Sequence, residues 1–412
     1  VVPPTIMPRQ DKNKKQAKEI LIENVVSPIL SLPQPKPISP IYENDKVEEK
    51  NFSFSYMGTT CEVRLPKDLN IRMSGCESCM IATIWKQLAT NAMDNTIRDF
   101  LALRLKMQLC DWAYLNLIDT FAKAFCGHGN EAVIMAAFIY SQSGYKMRLG
   151  RDCEKLYLLY GSKHGIYEKG YIVIEGINYY PLDDKVERME ISDFSFPQEQ
   201  SMSLYIENAQ KFTIRPSAIR KLASEQYHDV AIDSQVNLNL IQFYNTYPSS
   251  EVNGNFMTCW KMYADTPMDE SVSQMLYPDI KNKIEGLSDV QAVNQILNWV
   301  QTAFQYEYDD KVWGHDRAFF AEETLYYPYC DCEDRAILFT RLVRDLLGLK
   351  CILVYYPGHL ASAVCLKQQV NGDYISLDGD VYTICDPTYI GAPVGITMPE
   401  MDNRSAKVIK LL

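Results

Sequence analysis

Residues 331–366 read DCEDRAILFTRLVRDLLGLKCILVYYPGHLASAVCL. The first half predicts an amphipathic helix. Phe339, Leu342, Val343 and Leu346 recur at helical spacing, and Gly348 is the residue type that closes helices. The second half predicts strands at Cys351–Tyr356 and Ala361–Leu366, and two more follow at Tyr374–Leu377 and Tyr382–Cys385. Upstream, Val293, Ile296, Leu297, Val300 and Phe304 lay a second helical face over Val290–Tyr306. Helices followed by a run of consecutive strands predict an α+β domain, assigned to residues 263–412.

The chemistry of this stretch starts at Cys332. Asp331 is placed to be the N-cap, which sets Cys332 at the first helical position, facing unpaired backbone N–H groups. The positive end of the helix dipole favours thiolate over thiol there. A thiolate nucleophile needs a base or ion-pair partner, usually histidine, and the chain has only 5. His359 follows Cys332 by 27 residues, and Asp386, in Cys385-Asp386-Pro387-Thr388, follows by 27 more. On neighbouring antiparallel strands, Asp386 would accept the imidazole N–H and favour imidazolium beside thiolate. Cys330 is a rival nucleophile that precedes the N-cap and lacks the dipole argument.

Cys332 with Ala336, then Pro357-Gly358-His359, then Asp386-Pro387-Thr388 resemble the Cys…His…Asp signature of the transglutaminase-like superfamily, which includes bacterial cysteine peptidases of papain-like fold. The resemblance covers Pro267–Pro399, and Phe52–Asp184 as a degenerate copy. It implies a papain-like, transglutaminase-like domain with a helix packed on an antiparallel sheet. It also implies Cys332 as nucleophile, His359 as general acid/base and Asp386 as orienting group. An amide carbonyl would become a thioester, resolved by water or an amine. The oxyanion would be held by the Cys332 N–H and one upstream side chain, with Gln301, Gln305, Tyr306 and Trp313 all open.

An internal repeat points to duplication. Asn130–Gly150 (NEAVIMAAFIYSQSGYKMRLG) lies without gaps on Asp334–Val354, matching Ala132 with Ala336, Gly144 with Gly348, Lys146 with Lys350 and Leu149 with Leu353. His128 then stands in the place of Cys332. His164 and Asp183 are expected as counterparts of His359 and Asp386, with a longer loop before His164. Cys126 restores a cysteine only at the cost of the gapless match. The first copy, residues 51–190, is therefore expected to be a non-catalytic scaffold, groove wall or ligand-binding module. Residues 1–50, with 8 of the 20 prolines and Lys12, Lys14 and Lys15, read as a semi-extended tether. Residues 191–262 read as a β-rich connecting region with strand-like pieces at Lys211–Ile214 and Phe256–Met262.

Composition bounds the function classes. Lys+Arg of 41 against Asp+Glu of 52 gives a net charge of −11, which argues against nucleic acid or an anionic membrane surface as the main partner. No apolar run approaches the ~18 residues of a membrane span. A tether directly after a chain start at Val1 suits an exported protein whose leader has been removed. Cys76-Glu-Ser-Cys79 is a lone CxxC without a histidine nearby, read as core thiols or a local disulfide rather than zinc. Glu322-Glu323 with Asp309-Asp310 reads as a solvated acidic loop, so neither metal nor cofactor is expected. Tyr326, Tyr327, Tyr329, Tyr355 and Tyr356 flank the catalytic pieces, a placement equally compatible with lining a cleft and with half-buried packing at strand edges. Two functions follow: thiol-dependent acyl transfer on a peptide or protein substrate, most directly amide hydrolysis, or a non-catalytic peptide- or glycan-binding module.

Overall fold

The computed structural model describes residues 4–7, 17–27, 33–42, 49–152, 154–183, 189–192, 194–368 and 370–412. The Lys12–Lys15 patch, Pro3, Pro8, Pro28 and Cys153 lie outside the described residues. The chain divides into two units. One comprises residues 31–213 and 246–254, and the other residues 1–30, 214–245 and 255–412. The region expected as a connector is thus shared between them.

In the 31–213/246–254 unit, helices α1 (Asp111–Cys126) and α2 (Asn130–Gln142) pack together and lead into strands β1 (Met147–Asp152), β2 (Lys155–Ser162), β3 (Ile172–Ile174), β4 (Ile177–Pro181) and β5 (Glu190–Ile191). The sheet order is β5-β1-β2-β4-β3, antiparallel throughout. Helix α2 is apolar on nearly every side, with Ala132, Ile134, Met135 and Phe138 through Tyr140 all buried. Pro35 is buried in this unit as well. A Cβ added to Gly144, which has φ +100°, would meet the Lys36 carbonyl oxygen at 1.8 Å, so glycine is required where that segment crosses the turn.

The other unit repeats that layout. Helix α3 (Asp289–Thr302), the short parallel strands β6 (Gln305–Tyr306) and β7 (Tyr329–Cys330), and helix α4 (Cys332–Leu347) precede strands β8 (Cys351–Tyr356), β9 (His359–Cys365), β10 (Tyr374–Leu377), β11 (Asp380–Cys385) and β12 (Lys407–Lys410). Here the order is β12-β8-β9-β11-β10, again antiparallel, so each strand has a counterpart in the same position and sense. Helix α3 opens with a capping box between Ser288 and Gln291. Helix α4 ends where Gly348 turns left-handed at φ 64° and its N–H closes on the Arg344 carbonyl at 3.0 Å. Ala336, Ile337, Phe339, Leu342 and Val343 bury the inner face of α4. Val354, Tyr356, Ala361, Ala363 and Ile384 form a core across the sheet, at ~1.5–3 kcal/mol for each fully buried large apolar side chain.

Several expectations change. Among residues 1–50, Asn24–Val26 forms an edge strand parallel to β12, Thr5–Ile6 pairs with Tyr389–Ile390, and Met7, Ile20 and Val26 are buried. These pieces are sheet edges rather than a stand-off tether, because short apolar runs sit among the prolines. The 191–262 region is not β-rich. It holds one hairpin, Arg220–Ala223 with Ala231–Ser234, and helices Leu238–Tyr244 and Met257–Asp265. The expected strand Phe256–Met262 is mostly helix, since Met257–Asp265 is buried at nearly every position and shows no face by which periodicity could distinguish the two. Lys211–Ile214 is irregular, its N–H groups going to the Met107 carbonyl and the Thr59 hydroxyl.

The hairpins also correct the repeat. The same 204-residue shift that carries Met147 onto Cys351 carries Lys155 onto His359, because both hairpin turns have equal length. Lys155, the first residue of β2, therefore occupies the place of His359. His164 lies beyond the far end of β2, buried, with Ser203 Oγ 3.4 Å from its Nε2 and its pKa lowered to about 4 by burial and by Lys163.

Candidate active site

Helix α4 begins at the residue the periodicity placed there, with Asp331 as N-cap in an extended conformation. The cap bond comes from the other direction. Asp334 Oδ2 accepts the Asp331 N–H at 3.1 Å and Oδ1 accepts the Phe319 N–H at 2.8 Å, while both Asp331 carboxyl oxygens are buried with no donor. Cys332, 2% exposed, is the first residue of the helix.

His359 opens β9 and Asp386 directly follows β11, and those strands are antiparallel neighbours. The structure brings the two together: His359 Nε2 lies 2.9 Å from Asp386 Oδ2. Asp386 Oδ1 accepts the Thr388 N–H at 2.9 Å and the Tyr389 N–H at 3.2 Å, which fixes the carboxylate. Engagement of Nε2 leaves His359 Nδ1, buried and without a hydrogen-bond partner, as the nitrogen for proton exchange. Tyr356 stacks beside the imidazole with ring centroids 6.4 Å apart. The backbone N–H of Leu360, the residue after His359, lowers the Cys332 thiol pKa somewhat, so the strand that carries the imidazole passes near the sulfur.

The electrostatics of Cys332 differ from the helix-dipole expectation. Its thiol donates to Glu333 Oε2 at 3.1 Å. Burial, then the Glu333 and Asp331 carboxylates, push its pKa well above the ordinary thiol value, and the Leu360 N–H offsets only part of that. Cysteine at this site rests as thiol. The dipole favours thiolate as argued, but two carboxylates within reach of the sulfur outweigh one helix end. Cys330 is also buried, its thiol raised to about 11 chiefly by burial.

The four oxyanion candidates stand in different settings. Gln301 is committed elsewhere. Its Nε2 contacts the carbonyls of Asp386, Tyr389 and Ala392 at 2.9, 2.8 and 3.0 Å, and its Oε1 accepts the Gly391 N–H at 3.0 Å. It braces the loop carrying the triad carboxylate. Gln305 is exposed. Trp313 packs against Arg317, Phe319 and Tyr327. Tyr306 remains. It pairs with Cys330 across β6 and β7, beneath the Arg335 guanidinium, and burial followed by Cys332 and Asp331 raises its pKa, so the phenol keeps its proton. Of the flanking tyrosines, Tyr356 adjoins the triad, whereas Tyr355 packs on Trp260 and Tyr327 bonds Asn245.

Three of the four acids of this region are not solvated: Glu322, Glu323 and Asp309 are buried, and Asp310 is exposed as expected. Glu322 accepts the Asp269 N–H, and Glu323 accepts the Phe320 N–H and pairs with Arg317. Burial raises Glu322, Glu323 and Asp309 each to about 7. Ligand atoms of Asp309, Asp316 and Glu333 converge within 4.8 Å, as do those of Asp331, Cys332 and Glu333. The all-oxygen set of Asp309, Asp316 and Glu333 suits a hard divalent cation, and one bound at Glu333 would also neutralise the charge opposing thiolate. Cys76 is buried and Cys79 exposed, and among the described residues they join no metal-ligating cluster and no disulfide. In the 31–213/246–254 unit, Lys123 pairs with Asp119 at 2.7 Å and Asp183 at 3.4 Å. His128, Lys155 and Asp183 share a cavity there, and no described cysteine lines it.

No described helix is long and apolar enough to cross a membrane. No protein-family model matches the chain, and no curated protein or solved structure matches it either.

Proposed function

We propose that the 255–412 region is a transglutaminase-like, papain-like catalytic domain that performs thiol-dependent acyl transfer, chiefly hydrolysis of an amide or peptide bond. The observation that carries this reading is the 2.9 Å His359 Nε2–Asp386 Oδ2 bond, which leaves Nδ1 as the free imidazole nitrogen, on a strand whose next residue, Leu360, influences the Cys332 thiol. His359 Nδ1 takes the Cys332 proton as sulfur attacks the substrate carbonyl carbon. The resulting oxyanion is stabilised by the Cys332 backbone N–H and the Tyr306 hydroxyl. Collapse of this intermediate breaks the C–N bond, and imidazolium returns its proton to the leaving amine. Water, deprotonated by His359, then attacks the thioester carbonyl and releases acid and thiol, while Asp386 holds the ring and stabilises its charged form. The matching strand order of the two units supports duplication, with the first copy lacking the chemistry because Lys155 replaces the imidazole position and His128 the thiol.

A second reading, a peptide- or glycan-binding module without turnover, draws on the 2% exposure of Cys332 and the carboxylates that keep it protonated. Iodoacetamide labelling read by mass spectrometry separates the two. Acyl transfer predicts that Cys332, although protonated at rest, labels at a rate that falls in His359→Ala. It also predicts that cleavage of a peptide library is lost in Cys332→Ala. A labelling rate unchanged in His359→Ala together with absent cleavage would refute the enzyme reading.

A further inference from the structure

In the 31–213/246–254 unit, a cavity of about 260 Å³ opens over the first turn of α1. That volume falls just below the ~300–1,000 Å³ of sites for drug-sized ligands, so a small molecule is the right scale. Its floor is a rigid ion pair. Arg104, 3% exposed, donates from Nη2 to Asp111 Oδ1 at 2.7 Å. The guanidinium carbon sits 5.1 Å from the Tyr114 ring centroid and 5.3 Å from that of Tyr145. The Tyr145 hydroxyl donates to the same Oδ1 at 2.7 Å, and the Ser203 N–H donates to Oδ2 at 2.8 Å.

Those bonds satisfy the Asp111 carboxylate and leave cationic capacity over. Arg104 Nε is buried and has no hydrogen-bond partner. Lys163 also lines the cavity, and among the described residues its ammonium has no ion pair. Burial lowers its pKa, and the Asp111 carboxylate restores only part of the loss. A bound anion is what such an ammonium lacks. The charge of that anion is bounded from the other side, because Glu207 also lines the wall with Asp111 and repels a dianion. Leu105, 71% exposed, and Leu109 give the cavity an apolar side.

We propose that this cavity binds a small monocarboxylate, whose carboxylate pairs with Lys163 within the field of the Arg104 guanidinium and whose apolar body lies against Leu105 and Leu109. The site shares no residue with the Cys332 centre and does not rest on the proposed acyl transfer. Isothermal titration of the full chain with sodium benzoate tests it, with benzyl alcohol as the neutral counterpart and phenyl phosphate as the dianion. Benzoate binds one to one, and benzyl alcohol and phenyl phosphate bind more weakly. Lys163→Met weakens benzoate at least ~10-fold, the size of one charge-assisted hydrogen bond, and Lys163→Arg restores it. Any of three results would overturn the proposal: benzyl alcohol or phenyl phosphate binding as tightly as benzoate, Lys163→Met leaving affinity unchanged, or no benzoate binding tighter than ~10 mM.

Discussion

Replacing Glu333 with Gln is the sharpest probe of the electrostatics around the candidate nucleophile. The Glu333 carboxylate accepts from the Cys332 thiol at 3.1 Å. At that separation and an effective dielectric of about 20, a carboxylate raises the energy of a thiolate by ~5 kcal/mol, roughly four pKa units. Relaxation and water entry reduce this, and Asp331 stays in place, so a drop of at least about two units is expected in Glu333→Gln. Two units increase the thiolate fraction about 100-fold wherever the pH lies below both values. The less basic thiolate is intrinsically slower by roughly eightfold, given a Brønsted slope near 0.45. The net expectation is an alkylation rate about tenfold higher near neutral pH. The assay is pseudo-first-order iodoacetamide labelling across a pH series, read at the Cys332 peptide by mass spectrometry. An unchanged rate, or a titration midpoint that fails to move down, would refute the claim that the neighbouring carboxylates hold this sulfur as thiol.

Four further outcomes are expected. Tyr306→Phe lowers kcat of the proposed reaction by ~100-fold with little change in KM, measured on a peptide substrate, because an oxyanion donor acts only in the transition state. Gln301→Ala lowers stability by ~2–4 kcal/mol in urea unfolding through the loss of a fully bonded buried amide, and a change under 0.5 kcal/mol would contradict the bracing role. Asp309, Glu322 and Glu323 have folded pKa values raised to about 7, so the folded state binds more protons than the unfolded chain above pH 4. Their contribution is complete below the unfolded carboxyl values and is lost as pH rises through 7. Tm therefore falls by ~5 °C from pH 5.5 to 8, and Glu322→Gln flattens that slope in a thermal melt. Millimolar calcium raises Tm at pH 8 in the unaltered protein and not in Glu333→Gln, if Asp309, Asp316 and Glu333 serve as ligands.

How legible these features were follows from where their information sits. Helix α4 and strands β8 to β11 were readable because each has a local signature: a 3.6-residue apolar stripe closed by Gly348, then short apolar runs broken by Pro357-Gly358 and Asp378-Gly379. The His359–Asp386 partnership was readable because their strands are close in sequence and joined antiparallel. Met257–Asp265 was misread because burial on all sides erases periodicity. The pairing of Asn24–Val26 with β12 spans almost the whole chain, and no local pattern encodes such a contact. The charge state of Cys332 is a different kind of miss. Its signal was in plain view as Asp331, Glu333 and Asp334, but only the geometry tells which of those carboxylates turns toward the sulfur. His164 was set opposite His359 by order alone, whereas the strand register identifies Lys155 as its counterpart.

The Gln301 amide that clasps the Asp386 loop comes from a helix 85 residues earlier in the chain. The acyl transfer proposed for Cys332 would thus depend on a tertiary event rather than on the presence of its three residues. A chain still emerging during synthesis, with the helix, the thiol and even the imidazole already made, carries a mute sulfur until the last strands are in place and the clasp has closed. Turnover would then report complete folding, and a half-finished molecule would not cut its neighbours.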